Sequence, residues 1–331
     1  MPELTKQKTS SRKEKIFSGL RITISGCLLL FLVLKNLDNF RDIVDIIGQV
    51  NIPFIIIATL LYSLNLVVGT FRWDILLRAQ GVKVNRWYLL QSVYVGYFYN
   101  NILPSNIGGD FYRVYDISKN KNVELKKGIS SAILERFMGL VSLSLYFLVS
   151  FVSIYKIFDK GIKTIIIFLA IAYLLFLIVM RPKLFKLDRL FKKVRFLSSF
   201  GEKVLAFGEA FDAYRKKYKS LFLAFMTNMV TQVFIIFSYY FISLSLGLEM
   251  TPFDFFFIVP IIFVVTGIPI SIGGLGVREN ILVLLLTSLG IANEKALVFS
   301  FLILVVYIFK ALVGGLVYLV KSIFFKTKGF V

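Results

Sequence analysis

The chain contains no histidine and a single cysteine, Cys27, which lies inside an apolar run. One thiol cannot form an internal disulfide or build a zinc or iron–sulfur site, and without imidazole the usual metal ligands and proton relays are missing. Acids are scarce as well: 19 Asp and Glu stand against 39 Lys and Arg, for a formal net charge of +20. The sequence also lacks a nucleophile elbow, a Walker loop, a metal-ligand cluster and paired carboxylates outside loops. These absences predict a protein that is not an enzyme and takes no cofactor or metal. Without a nucleotide-binding domain, any transport is expected to be passive or gradient-driven.

Apolar surface is what the chain has in excess. Of its 331 residues 57% are hydrophobic, 35 are Phe, and the mean hydropathy is +0.79. A soluble domain of this size has no core able to hide so much. Runs such as IPFIIIATLLYSLNLVV and TIIIFLAIAYLLFLIVM approach the roughly 20 residues a helix needs to cross about 30 Å of hydrocarbon. The sequence therefore predicts an all-α polytopic membrane protein. Its basic residues lie between the apolar runs rather than on one compact domain. They fit the positive-inside rule and anionic lipid headgroups better than nucleic acid, which is not expected as a partner.

Charge asymmetry threads the chain. A basic N-terminus (1–21) is expected in the cytoplasm, followed by an uncleaved first span at about 16–35 and a loop with Asp38, Asp42 and Asp45. Further spans are expected at about 52–70, 128–154, 163–180, 220–246 and 296–320. The first membrane half is thus 22–180 and the second 220–322. Between them, 181–219 holds twelve Lys or Arg against four acids and reads as a cytoplasmic loop with an amphipathic surface helix. A cytoplasmic tail, 323–331, completes the count. Two shorter apolar stretches, 88–103 and 255–268, read as re-entrant hairpins. The total is about six spans plus two hairpins, or eight to ten spans if the hairpins cross.

Each hairpin runs into the same punctuation. Residues 104–113 read PSNIGGDFYR and 269–278 read PISIGGLGVR, with equivalent positions 165 apart (272−107 and 278−113). Flanking spans recur at the same offset, and three crossings lie between the motifs. An inverted repeat of span–hairpin–span units is therefore expected. Pro104 and Pro269 are helix breaks. The pairs Gly108–Gly109 and Gly273–Gly274 are expected to leave amides uncovered at the start of a short helix, where an anion binds. Arg113 and Arg278, one turn in, would offer forked donors to a phosphate. Glu279 stands beside Arg278. Within the spans Glu135, Arg136 and Lys310 are further candidate substrate contacts, because charge at such depth usually faces a cavity or a partner. Glu135 is a candidate counter-ion for Lys310, the alternative being a Glu135–Arg136 ion pair. Asn65 and Asn228 read more simply as interhelical hydrogen bonding than as substrate contacts.

At ILPSNIGGDFYRVY, SAILERFMGL and PISIGGLGVREN the chain resembles the flippase-like transmembrane region of lysylphosphatidylglycerol synthases, over about 20–320. The resemblance implies a module that flips aminoacylated phosphatidylglycerol in full-length relatives, and lipid or lipid-linked sugar translocases among standalone ones. The aminoacyltransferase domain of the full-length relatives is expected to be absent, since the sequence stops eleven residues after the last span. The function expected is translocation of an anionic phospholipid, aminoacyl-phospholipid or lipid-linked sugar across the cytoplasmic membrane. A membrane scaffold for a separate lipid synthase or glycosyltransferase is the alternative. Expected partners are an anionic lipid or lipid-linked substrate, a separate transferase and a further copy of the chain.

Overall fold

A computed structural model of the chain describes residues 19–36, 39–102, 108–154, 212–267 and 271–326. Regular structure among them is helical: α1 (Gly19–Leu34), α2 (Phe40–Gly48), α3 (Ile52–Ala79), α4 (Arg86–Ile102), α5 (Gly108–Lys121), α6 (Leu125–Ile154), α7 (Tyr218–Ser245), α8 (Pro252–Gly267), α9 (Val277–Ser288) and α10 (Asn293–Lys326). A 3-10 turn, Ile272–Gly274, precedes α9. Four segments, Ile52–Ala79, Leu125–Ser150, Tyr218–Ser245 and Asn293–Ile323, are long and apolar enough to cross a bilayer. The protein is thus an all-α, multi-pass membrane protein. Leu312, Leu316 and Leu319, on one stripe of α10, are exposed as lipid-facing residues should be.

Two expectations change. The first expected span is the shorter apolar helix Gly19–Leu34, outside the four long ones. It gives way to a turn in which the Asn36 side chain bonds back to the Leu32 carbonyl at 2.7 Å. The acidic loop after it is partly helical: Asp42 and Asp45 lie on α2, whose FRDIVDIIG places Ile43, Ile46 and Ile47 at helical spacing. The expected span at 163–180 and the surface helix within 181–219 lie outside the described residues.

The chain forms two compact units. The first comprises Met1–Ser63, Val93–Tyr112 and Ile235–Val331; the second comprises Leu64–Ser92 and Arg113–Phe234. The long helices α3 and α7 contribute to both, and in each unit they run antiparallel. In the first, the Asn51 amide donates to the Ser245 carbonyl at 2.9 Å and the Ser238 hydroxyl to the Ala58 carbonyl at 2.8 Å. In the second, the Asn65 side chain donates to the Thr231 carbonyl at 2.9 Å.

Elsewhere in the first unit α9 packs between α8 and α10, and α10 against α2. Gly314 lets α10 touch the α4 backbone, for a Cβ there would come within 2.2 Å of the Tyr94 carbonyl oxygen. In the second unit Asn228 donates to the Met138 carbonyl at 3.1 Å and to the Ser142 hydroxyl at 2.6 Å, and Trp73 donates to the Ser131 hydroxyl at 3.0 Å. Such bonds hold apolar helices where hydrocarbon offers no hydrophobic drive, each contributing about 0.6 kcal/mol.

Candidate functional site: two helix breaks and their buried cations

Pro104 and Pro269 lie outside the described residues, but the glycines that follow them are in view. At the first motif α5 opens at Gly108, and the chain doubles back onto α4. The two backbones meet at glycine: a Cβ on Gly109 would lie 1.9 Å from the Gly96 carbonyl oxygen. At the second motif Gly273, Gly274 and Gly276 have φ of 56°, 78° and 80°, the left-handed region that favours glycine. Space is also tight there, since a Cβ on Gly274 would sit 2.8 Å from Thr266 Cγ2. The first helix secures this turn: Ser25 accepts from the Ile272 amide at 3.0 Å, and the Asn280 side chain donates to the Leu28 carbonyl at 3.2 Å.

The expected uncovered amides are partly filled from within. The Gly109 amide donates to Asn100 Oδ1 at 2.7 Å, and the Gly276 amide to Glu279 Oε2 at 2.7 Å. The carboxylate of Glu279 thus occupies the start of α9, where the sequence pattern suggests an external anion. An unpaired amide is costly in an apolar surround, so a side chain within reach takes it. In the first unit the glycines of the second motif meet the end of α4. A Cβ on Gly273 would lie 3.5 Å from the Asn100 carbonyl oxygen and 3.7 Å from the Asn101 Cα, at the end of α4.

Beside this junction lies a buried group of tyrosines and cations, also in the first unit. Arg278 is 1% exposed and Glu279 0%. The arginine Nε and Nη2 reach Glu279 Oε1 at 2.9 and 2.5 Å, and its guanidinium carbon stands 3.9 Å from the Tyr307 ring centre. Tyr307 packs on Tyr62 with centroids 5.0 Å apart and on Tyr97 at 6.2 Å. Those two rings enclose Lys310, 1% exposed, whose Nζ lies 3.5 Å from the Tyr62 centre and 4.2 Å from that of Tyr97. Tyr97 links the group to the helix break, its carbonyl accepting from the Asn101 side chain at 2.8 Å.

A second group lies within the second unit. Glu135, 3% exposed, accepts from Arg72 Nε at 2.9 Å and pairs with Arg113 Nη2. Arg72 also donates to Asn228 Oδ1, and Arg113 stacks on Trp73 at 4.8 Å from the ring centre. Within this unit the partners of Glu135 are Arg72 and Arg113, which corrects the expected pairing with its neighbour Arg136. Arg136 is exposed, because successive residues on a helix point to different faces. Asn65 and Asn228 do bond between helices as expected.

Sequence reasoning missed the aromatic half of the first group and the second arginine of the other. Tyr307 and Lys310, three residues apart, share a helix face, and that spacing was the available signal for Tyr307. Tyr62 and Tyr97 look like any aromatic in an apolar run. Arg72 looks like an ordinary basic flank at the end of a span.

Broken short helices between long apolar ones, with arginines buried at the breaks, define a class: a multi-pass membrane protein with internal ionic sites. The chain belongs to the family described as the lysylphosphatidylglycerol synthase TM region, whose model matches residues 18–314. It is similar to a UPF0104 membrane protein of Pyrococcus horikoshii, 25% identical over 294 residues that cover 82% of this chain and 87% of the other. Another, from Methanocaldococcus jannaschii, is 27% identical over 125 residues, 36% of this chain and 37% of that one. A UPF0104 membrane protein of Methanothermobacter thermautotrophicus is 27% identical over 96 residues, covering 29% and 28%.

Proposed function

We propose that the protein is a lipid translocase of the cytoplasmic membrane, moving an anionic phospholipid, aminoacyl-phospholipid or lipid-linked sugar between leaflets. The observation that carries this reading is the meeting of the second motif's glycines with the end of α4, beside buried Arg278 and Lys310. A headgroup cannot cross hydrocarbon unaided, and backbone irregularity at membrane depth is tolerated only inside protein or along a watery path. Arg278 and Lys310, buried beside this meeting point, are donors that a headgroup there would use. Glu279 balances one cation, which leaves a positive surplus suited to phosphate. In the other unit Arg113, paired with Glu135, is a further candidate contact by its place in the first motif.

Element lengths and helix direction support an inverted repeat. A long helix, two short ones and a long one (α3–α6) recur as α7–α10, with 28, 17, 14 and 30 residues against 28, 16, 12 and 34. The equivalent helices α3 and α7 run antiparallel, as they must if the halves enter from opposite faces. The basic segments 1–21 and 181–219 put both on the cytoplasmic side in this scheme.

Purified protein reconstituted in liposomes carrying a fluorescent phosphatidylglycerol tests the reading. Translocation makes label in the inner leaflet accessible to a membrane-impermeant quencher. Protection identical to that in protein-free liposomes, for phosphatidylglycerol, its aminoacylated form and a lipid-linked sugar alike, would remove the proposal.

A further inference from the structure

The charge count around Lys310 narrows the kind of headgroup that fits. Glu279 is fully committed: Oε1 takes both contacts from Arg278, and Oε2 accepts the Gly276 amide. Its one negative charge therefore balances one arginine. Lys310 has no carboxylate bonded to it among the described residues; its contacts are the faces of Tyr62 and Tyr97. Ring faces attract a cation but do not neutralise it. Two buried hydroxyls in the same group make no hydrogen bond at normal distance, those of Tyr97 and Tyr239; each instead lies near another tyrosine of the group, Tyr62 and Tyr307 respectively. A buried hydroxyl without a partner is costly, and a buried unbalanced cation more so.

We propose that this cage binds one singly charged phosphodiester headgroup with an otherwise neutral remainder. One phosphate oxygen takes the Lys310 ammonium, and the hydroxyls of Tyr97 and Tyr239 donate to the phosphate. The inference deepens the translocase reading, on which it rests, by choosing among its substrates. A phosphatidylglycerol-like lipid brings the single negative charge that the cage lacks. An aminoacylated or ethanolamine headgroup adds an ammonium beside Arg278 and Lys310, where like charges repel in a surround of low dielectric. A diphosphate-linked lipid brings more negative charge than one free cation balances.

Native mass spectrometry of the detergent-purified chain tests the site apart from transport. The probes are short-chain phosphatidylglycerol, phosphatidylethanolamine, lysyl-phosphatidylglycerol and a polyprenyl diphosphate. Wild-type protein should retain phosphatidylglycerol about tenfold better than each of the others, the scale of one charge-assisted hydrogen bond. Lys310→Met should abolish that preference, Lys310→Arg should keep it, and Tyr239→Phe should weaken phosphatidylglycerol alone. Equal retention of the four lipids by wild type, or a preference that survives Lys310→Met, would overturn the proposal. Equally strong binding of glycerophosphoglycerol, the same phosphodiester without acyl chains, would also overturn it by assigning the site to a soluble anion. Selective binding without scrambling in liposomes leaves the site standing and removes the translocase. Scrambling without selective binding does the reverse.

Discussion

The contact between Gly96 and Gly109 sets up a sharp comparison. Replacing Gly109 by alanine puts a methyl carbon 1.9 Å from the Gly96 carbonyl oxygen and 2.6 Å from its carbon. Both obstacles are backbone, so no side chain can swing away. Ordinary contact begins near 3.4 Å, which requires α4 and α5 to part by about 1.5 Å (3.4−1.9) at this point. The methyl also comes 2.7 Å from Asn100 Cγ, the side chain that holds the Gly109 amide. Overpacking costs about 1–3 kcal/mol, and with two rigid partners Gly109→Ala is expected at the upper end, near 3 kcal/mol. The comparison is Gly139→Ala on α6, where an added Cβ meets nothing within 4 Å. There alanine is expected to be neutral or to stabilise by about 0.5–1 kcal/mol through its better helix propensity. Thermal unfolding of both variants in the same detergent measures the difference. Equal melting temperatures would refute the reading of the α4–α5 hairpin as a glycine-to-glycine backbone contact.

Other expectations follow from the ionic and turn geometry. Glu135→Gln leaves Arg72 and Arg113 without their shared carboxylate and is expected to cost about 3 kcal/mol in unfolding free energy, the low end for breaking a buried pair. Arg136→Gln on the same helix, at an exposed position, should move stability by no more than about 0.5 kcal/mol. At Gly273 a Cβ would make only ordinary contact, the nearest atom being the Asn100 carbonyl oxygen at 3.5 Å, but φ is 56°, so Asn, which tolerates that region, should unfold at a higher temperature than Val, a gap of about 1–2 kcal/mol. Asn228→Leu removes two donated bonds and the acceptor for Arg72, and should lower the unfolding free energy by about 1–2 kcal/mol.

Much of the architecture was legible because bilayer helices advertise themselves by length. The runs at 52–70, 128–154, 220–246 and 296–320 all became long helices, the first reaching on to Ala79 and the last to Lys326. At the second motif the Gly-Gly pair likewise marked a real break, since left-handed φ at Gly273 and Gly274 is a property the sequence can announce. Pairing was harder to see. The partner of Glu135 is set by which face of α3 meets α6, and nothing in the order of residues distinguishes Arg72 from Lys310 for that role. The Gly109 amide looked free because its acceptor, Asn100, becomes one only once the chain has turned. Asp42 and Asp45 made α2 resemble a loop, although its isoleucines already had helical spacing.

Asn65 meets Thr231 at a separation of 166 residues, the same distance that separates Ile52 from Tyr218 at the starts of α3 and α7 (218−52). Taking that distance from 238 and 245 gives 72 and 79. These lie as far beyond 65 as their partners 58 and 51 lie before it. A chain of half this length could therefore make all three contacts with a second copy of itself, meeting that copy at its own position 65. Along these three contacts the pairing of α3 with α7 is symmetric about position 65, so a change that slides one helix along the other shifts every contact by the same step.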